Sequence, residues 1–386
     1  MKSFFDKIIS NKKIIFILYI VVALGISIQS YLLHPAAVFQ TRYNNYLIFK
    51  YSFQHLLSFQ NLYLEYPSQY YDLYKYSPTF AVFFGAFAYL PNFLGLSLWN
   101  ILNALVLFFA VYYLPKIDIK KKSLLLFAVI IELMTSLQNS QSNALIAGLL
   151  ILAFGLLERE KYIAAIFCIV FTVYIKIFGI VALLLLLFYP KKGKLFLITA
   201  SAFIIYTTVP LLIVPFSQLK IIYLDWLHLL AADKSVSYGI SVYGWLKTWF
   251  NIELNKSILL SIGAILLCFP FIQFKKYKNY SFRLLSLCSI LIWVIIFNYK
   301  AESPTFIIAM AGVSIWYFFQ KQSWFNTILF ISALIFTSIS STDLFPREVR
   351  LDFIQPYMIK AIPCILIWIK ILYDLFFETE IAEIKV

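Results

Sequence analysis

Charged side chains are rare in this sequence, and a lysine inside an apolar stretch is the first candidate for chemistry. Lys176 lies in FTVYIKIFGIV, which is otherwise apolar. A charge at membrane depth is costly, so such a residue usually has a polar partner or a function. Two interpretations stay open. Either the amine reaches the interface from a helix end, or it faces a polar cavity and holds an anion such as phosphate. In the second case Glu132 is a candidate buried partner.

Two carboxylates have the surroundings expected of a general base. Glu302 stands in FNYKAESPTF, where almost no loop separates two apolar runs, so we expect it at the mouth of a helix bundle. Asp72 stands in LEYPSQYYDLYKYSPTF, where aromatic neighbours partly remove it from water. A carboxylate in such surroundings accepts a proton more readily than one in free solution. We predict that one of the two is catalytic, with Glu302 slightly preferred.

Amide and tyrosine side chains supply the candidate neutral contacts. Gln141 and Asn143 belong to a polar turn, which is either ordinary loop chemistry or part of a binding site. Tyr71, Tyr74 and Tyr76 belong to a stretch that is unusually dense in tyrosine. An aromatic belt at the membrane interface explains part of this density. The alternative is a surface that faces carbohydrate, because aromatic rings pack on sugars and tyrosine hydroxyls hydrogen-bond to them.

Metal, disulfide and nucleic-acid functions are not indicated. The cysteines lie in apolar runs without CxxC or Cys/His spacing, and the histidines are scattered; they are Cys168, Cys268, Cys288, Cys364, His34, His55 and His228. We therefore expect no metal site built on His or Cys. We also expect no cofactor. The net charge of +14 is explained better by membrane topology than by nucleic acid.

Composition places these residues in a membrane protein. Of the 386 residues, 62% are hydrophobic and 13% are charged, and mean hydropathy is +0.85. Soluble domains carry about twice that charged fraction. With about 20 residues a crossing, the sequence predicts an all-α polytopic bundle of about twelve transmembrane helices. Their ranges are 14–33, 93–114, 123–137, 142–157, 161–177, 178–190, 195–215, 257–274, 284–299, 304–319, 325–341 and 356–377.

Charge predicts how this single integral domain, 1–386, is oriented. Lys and Arg concentrate in alternate segments, which favours a cytoplasmic N-terminus, a retained first helix and a cytoplasmic C-terminus. The long segments 34–92, 216–256 and 342–355 then lie outside, in the periplasm or exterior, and the protein is multi-pass in the inner (plasma) membrane. Within 34–92 we expect two juxtamembrane helices, over 41–59 and from Pro78 to Leu90.

Four segments, in this order along the chain, are similar to the motifs of one known family. KYSPTFAVFFGAFAYLPNFLGLSLWNILN (75–103) resembles its Y-x-P…LP…W…LN pattern. NSQSNALIAGLLILAF (139–154) resembles its G-Q-x-N turn, with Ser140 in place of the glycine. VYIKIFGIVALLLLLFYPKK (173–192) resembles its K-P-x-P-x-L-L segment, with Lys176 kept and the prolines missing. SYGISVYGWL (237–246) resembles its N-Q-S-L region, with Ser241 at the serine. Together the four segments resemble glycosyltransferase family 87, a family of the GT-C superfamily of membrane glycosyltransferases.

The resemblance implies a GT-C-like fold and a polyprenyl-phosphate-linked sugar as donor, most often mannose. It implies inverting transfer to a hydroxyl of a lipid or glycan acceptor on the outer face, assisted by one acid and without a nucleotide sugar. Lys176, with Arg347 and Arg350 of the last outer loop, would hold the donor phosphate. The sugar and acceptor would contact Asn45, Tyr71, Tyr74, Tyr76, Gln141, Asn143 and Ser241.

One position departs from the family pattern and keeps two other functions open. An Asp early in the first outer loop is typical of the family, and Asn45 of RYNNYLIFK stands in its place. An amide cannot take up the proton, so either the base has moved to Asp72 or Glu302, or the chain is an inactive GT-C-like scaffold. The third function is a transporter or flippase of lipid-linked sugars. The absence of a visible internal repeat argues modestly against it.

Overall fold

A computed structural model describes residues 10–33, 41–232, 237–320 and 323–377, and all regular secondary structure in these ranges is helical. Parts of the predicted outer loops, 34–40 and 233–236, lie outside them. The α-helices are α1 Lys12–Leu32, α2 Asn44–Leu57, α3 Pro78–Ala88, α4 Asn92–Tyr113, α5 Ile119–Ala128, α6 Ile130–Gln138, α7 Asn143–Leu157, α8 Tyr162–Ile175, α9 Lys192–Thr208, α10 Phe216–Ala232, α11 Val242–Phe250, α12 Lys256–Cys268, α13 Tyr280–Ile296, α14 Phe306–Phe319, α15 Trp324–Ser332, α16 Arg347–Val349 and α17 Ile362–Phe377.

Short 3-10 and π segments extend or join these helices. The 3-10 segments are Ile177–Phe188, Val209–Leu212, Phe269–Ile272, Phe274–Lys278, Ser303–Thr305, Ile339–Ser341 and Ile359–Ala361, and the π segments are Ala333–Ser338 and Arg350–Ile354. Polar side chains begin several of the α-helices. Ser77 accepts a hydrogen bond from the Phe80 amide, with Pro78 in the first turn of α3, and Asp118 accepts one from the Lys121 amide at the start of α5.

Four helical stretches are long and apolar enough to cross a membrane: Lys12–Leu32, Asn92–Tyr113, Lys192–Leu212 and Trp324–Ser341. Several shorter apolar helices accompany them. The expectation of an all-helical membrane protein is confirmed at this level. The predicted span 123–137 divides into α5 and α6 at Val129. The short predicted span 178–190 is the 3-10 segment Ile177–Phe188, whose 12 residues reach about 24 Å because each rises about 2 Å.

The centre of the bundle is formed by α7, α13 and α14, whose side chains are buried on nearly all sides. Helix α4 lies directly against α7, and α13 lies against α14. Gly148 permits the first contact, because a Cβ there would lie 2.7 Å from the Leu107 amide nitrogen. The central helices therefore provide a fixed base, and the chain segments at their ends can hold side chains in defined positions.

The segment 41–92 carries the two shorter helices expected from the sequence. Tyr46, Phe49, Phe53 and Leu56 of α2 are buried, whereas Leu57 is exposed. Rings from α2, α3 and α4 pack edge to face; Phe49, for example, lies 5.2 Å from Phe80 and 5.9 Å from Trp99 between ring centroids. This aromatic cluster attaches α2 and α3 firmly to the bundle.

Candidate active site

Lys176 lies at a break between two helices, and its amine is held by amide oxygens. The residue has an extended backbone (φ −141°) between α8 and the 3-10 segment Ile177–Phe188. Its Nζ donates to Asn143 Oδ1 at 2.7 Å and to Gln141 Oε1 at 3.5 Å. The amine therefore turns into the protein toward a polar cluster, and the binding of an anion there stays a prediction.

A tight turn between α6 and α7 presents both amides. Ser140 has φ +50°, in the left-handed region that favours glycine, and its carbonyl accepts from Trp99 Nε1 at 2.9 Å. Asn143 begins α7, and its Nδ2 donates to Gln141 Oε1 and to the Pro304 carbonyl at 3.0 Å. The turn is thus fixed on one side by α4 and on the other by the segment that follows Glu302.

Glu302 completes this cluster, which we call the Lys176 network: Lys176, Gln141, Asn143 and Glu302. Gln141 Nε2 donates to Glu302 Oε2 at 3.2 Å, while Gln141 Oε1 faces the lysine amine. One amide therefore separates a cation from a carboxylate, and both charges have a partner of suitable polarity. The Glu302 side chain is exposed, so the carboxylate is open to a ligand on its other side.

A cavity of about 370 Å³ opens beside Glu302. Its walls come from the loop before α11, the first turns of α11, the segment around Glu302, and one methionine near α17. The lining residues are Ser237, Tyr238, Gly239, Ile240, Gly244, Lys247, Thr248, Ala301, Glu302, Ser303 and Met358. A volume of this size accommodates a small ligand or one sugar unit.

The loop before α11 is shaped by one glycine and one serine. Gly239 has φ +58°, and a Cβ there would lie 2.6 Å from the Tyr299 carbonyl oxygen, so only glycine fits without a shift. Ser241 is buried; its hydroxyl donates to the Tyr238 carbonyl at 2.6 Å and accepts from the Gly244 amide as the N-cap of α11. The predicted sugar-contacting serine is thus bonded to residues that line the cavity.

The three predicted tyrosines occupy different surroundings. Tyr71 is 70% exposed. Asn44 Nδ2 donates to the Tyr71 carbonyl, and the Tyr71 amide donates to Asn44 Oδ1. Tyr74 is fully buried, and its hydroxyl donates to the Ser77 carbonyl at 2.7 Å. Tyr76 lies with its ring 6.0 Å from Lys176 Nζ, and burial raises the pKa of its hydroxyl. The Tyr76 hydroxyl therefore stays protonated.

Asp72 and Asn45 lie at the edge of the same outer segment. Asp72 has φ +78° and pairs with Lys75 at 3.2 Å, with both side chains substantially exposed. Asn45 Nδ2 donates to the Asn139 carbonyl at 2.8 Å. Asn45 thus attaches α2 to the turn that carries Gln141. Neither residue hydrogen-bonds directly to the Lys176 network among the side chains that the structure describes.

The predicted phosphate-binding arginines stand apart from Lys176. Arg350 pairs with Asp343 at 2.9 Å, and the Arg347 side chain is exposed. In the described part of the chain, neither arginine hydrogen-bonds to the Lys176 network. Their place in phosphate binding stays a prediction.

The suggested pairing of Glu132 with Lys176 is wrong. Glu132 pairs with Lys360 at 2.7 Å, and both side chains are buried. One sequence signal pointed to the true partner and was missed: Lys360, like Lys176, is a lysine in a predicted apolar span. The two partners stand 228 positions apart in the sequence, and no local pattern encodes a pairing at that distance.

The described residues contain no group of three or more His, Cys, Asp or Glu side chains that could hold a metal ion, while His34 lies outside them.

A comparison with curated proteins found no significant match. The sequence model of glycosyltransferase family 87 matches residues 74–341. This range is more than half of the chain and contains Lys176, Gln141, Asn143, Ser241 and Glu302, whereas Asn45, Asp72, Arg347 and Arg350 lie outside it. The chain belongs to glycosyltransferase family 87.

Proposed function

We propose that this membrane glycosyltransferase moves a hexose, most simply mannose, from a polyprenyl-phosphate donor to a hydroxyl of a lipid or glycan acceptor. The observation that carries the proposal is the position of Glu302. Its carboxylate borders the cavity and is joined through Gln141 to the Lys176 amine. A base and a cation on opposite sides of one amide suit a displacement in which one group activates the acceptor and the other binds the leaving phosphate.

The reaction would proceed with inversion. The acceptor oxygen attacks the anomeric carbon from the face opposite to the phosphate, as inverting transfer requires. The acceptor proton passes to Glu302, the new carbon–oxygen bond forms, and the bond from carbon to the phosphate oxygen breaks. Lys176 then stabilises the negative charge of the departing polyprenyl phosphate. No cofactor is needed, since the lipid-linked sugar is itself the activated substrate.

The remaining residues support this arrangement. The acceptor would occupy the cavity between Tyr238 and Met358, where Ser241 acts through its bonds to the cavity walls. Gln141 and Asn143 would contact the sugar from the network side. The border of the site on the side of the first outer loop would be formed by Asn45, Tyr71, Tyr74 and Tyr76. Arg347 and Arg350 would approach the donor phosphate when the lipid binds.

We further propose that the bundle is GT-C-like, with about twelve crossings and the site on the outer face of the inner (plasma) membrane. The asymmetric distribution of Lys and Arg supports this orientation. Residues 1–386 would form one integral domain. The segments 34–92, 216–256 and 342–355 would lie outside, with α2 and α3 at the membrane surface.

The base assignment is tested by two isosteric substitutions in the purified protein. Glu302→Gln keeps the bond partner of Gln141 but removes the proton acceptor, so we expect the transfer rate to fall by about 10²–10⁴-fold, the usual contribution of a general base. Donor binding should be nearly unchanged. Asp72→Asn is the matched variant, and we expect it to keep most of the activity. If Asp72→Asn abolishes transfer and Glu302→Gln does not, Asp72 is the base; if both variants stay fully active, neither acid has this function.

A further inference from the structure

A buried ion pair lies outside the reaction centre proposed above. Glu132 of α6 and Lys360, just before α17, are joined at 2.7 Å, and both are buried. The lysine amine also donates to Ser341 Oγ at 3.1 Å and lies 5.2 Å from the centroid of the Phe306 ring. A buried ion pair of this kind adds little net stability compared with an apolar pair of the same volume, but its directional bonds hold two segments in one relative position.

The Glu132 end of the pair belongs to the helix that leads into the Lys176 network. Helix α6 ends at Gln138, and the turn that follows carries Gln141. The same helix packs against Ser303–Thr305, the segment directly after Glu302. A shift of α6 therefore moves the amide that contacts Glu302 and the segment that anchors Glu302.

The Lys360 end of the pair belongs to a wall of the cavity. Met358, two residues earlier, lines the cavity and has φ +53°. Its side chain lies against Gly244 on the opposite wall. The neighbouring carbonyls are also held, since Tyr357 O accepts from Trp249 Nε1 at 2.7 Å and Lys360 O accepts from Thr337 Oγ1 at 2.8 Å.

We propose that the Glu132–Lys360 pair is a positioning element that sets the Met358 wall relative to Glu302 and thereby determines acceptor affinity. The effect on acceptor affinity rests on the proposed function. The effect on the position of the Met358 wall does not, because it follows from the contacts at the two ends of the pair. Both residues act through others, since neither lines the cavity.

Steady-state kinetics separate positioning from simple stabilisation. In Glu132→Gln, we expect the KM for the acceptor to rise about tenfold, with the donor KM unchanged, in line with the usual size of coupling through packed segments. The control is Glu158→Gln, which breaks the largely buried Glu158–Arg283 pair, a pair that lines no part of the cavity. Loss of stability alone lowers the amount of active protein but leaves both KM values as they are. An unchanged acceptor KM in Glu132→Gln overturns the positioning of the acceptor.

A second measurement reports on the cavity without requiring activity. Thr248→Cys places a thiol on the cavity wall, in a chain whose two less buried cysteines are replaced by Cys168→Ala and Cys268→Ala. We expect Glu132→Gln to change the rate of thiol labelling several-fold and Glu158→Gln to leave it unchanged. If Glu132→Gln does not fold, the double variant Glu132→Leu with Lys360→Met takes its place, because an apolar pair leaves no unpaired charge in the interior. It should show the same change.

The outcomes distinguish the two proposals. If the wild-type chain transfers no sugar, the proposed function is refuted. A changed labelling rate in Glu132→Gln then still supports the positioning role. An unchanged labelling rate in both Glu132 variants overturns the positioning role, whether or not the wild-type chain is active.

Discussion

At the residue scale, the proposed function depends on one glutamine, whose side-chain oxygen and nitrogen contact different charged groups. The Gln141 carbonyl oxygen faces the Lys176 amine, and its nitrogen faces the Glu302 carboxylate. A primary amide provides an acceptor for the cation on its oxygen and a donor for the carboxylate on its nitrogen, two different atoms of one side chain. This arrangement keeps the two charges apart, and in the proposed mechanism each acts on a different substrate.

Removal of the cation should affect the donor more than the acceptor. In Lys176→Met we expect the donor KM to rise about 10–100-fold, since a charge-assisted hydrogen bond is worth roughly 1.5–3 kcal/mol. The acceptor KM should change much less. Lys75→Met is a suitable control, because Lys75 is an exposed lysine paired with Asp72. The measurement is steady-state kinetics with each substrate varied in turn. An equal rise of both KM values would argue against a phosphate contact.

The turn before Gln141 carries strain that a single substitution can relieve. Ser140 has φ +50°, and its buried hydroxyl has no hydrogen-bond partner among the described residues. Ser140→Gly removes the left-handed strain and the unpaired hydroxyl, and it adds some unfolded-state entropy. We expect a net stabilisation of about 1 kcal/mol, measured as a higher unfolding midpoint in detergent. Ser142→Gly also removes a buried hydroxyl but at φ −88°, and it should not stabilise.

At the element scale, the cavity depends on how the loop 237–241 lies against the chain at 299–301. The Ile240 amide donates to the Ala301 carbonyl at 2.9 Å, and Gly239 is in close contact with Tyr299. This contact places the α11 wall of the cavity beside Glu302. The loop therefore couples the shape of the cavity to the position of the candidate base.

A methyl group at this contact should separate the two segments. In Gly239→Ala we expect the acceptor KM to rise and the free energy of unfolding to fall by about 1–3 kcal/mol, because the alanine must adopt φ > 0 and displace a backbone carbonyl. The matched substitution is Gly193→Ala in α9, where a Cβ would meet nothing within 4 Å. If Gly239→Ala has wild-type kinetics and stability, the contact does not shape the cavity.

The sequence predicted most of the apolar helices because each leaves a local signal, whereas α10 and α11 lie in the segment 216–256, which was expected only as an outer loop. Apolar runs, Pro78 at a helix start and basic segments between runs indicated where helices begin and end. The sequence could not show that 123–137 breaks at Val129, because the break changes no polarity. Nor could it show that Ile177–Phe188 is a 3-10 segment, since its leucine-rich run suits an α-helix equally well.

The sequence indicated candidate site residues only where their chemistry was visible in single residues. Lys176 and Glu302 stood out as charges next to apolar runs, and Gln141 and Asn143 as amides in a turn. Their connection through one amide, the cavity wall at Lys247, Thr248 and Met358, and the Glu132–Lys360 pair depend on contacts between segments far apart in sequence. Such contacts follow from tertiary packing and leave no periodic pattern.

At the scale of the whole molecule, the proposed function requires a membrane-embedded helical bundle to hold a lipid-linked sugar at a site with its own base. The family places the chain among glycosyltransferases, and its apolar helices place it in a membrane. The described structure adds a cavity with a carboxylate at its border and a cation one amide away. These features together favour transfer over passage of the lipid through the protein.

The most direct test is sugar transfer by the purified protein in liposomes, with a panel of polyprenyl-phosphate hexoses and a membrane lipid extract as acceptor. We predict a glycosylated product by mass spectrometry, with an anomeric configuration opposite to that of the donor, and we predict its loss in Glu302→Gln. Movement of the donor across the bilayer without any product would contradict the account and support a transporter, and a product that retains the donor configuration would contradict the proposed mechanism.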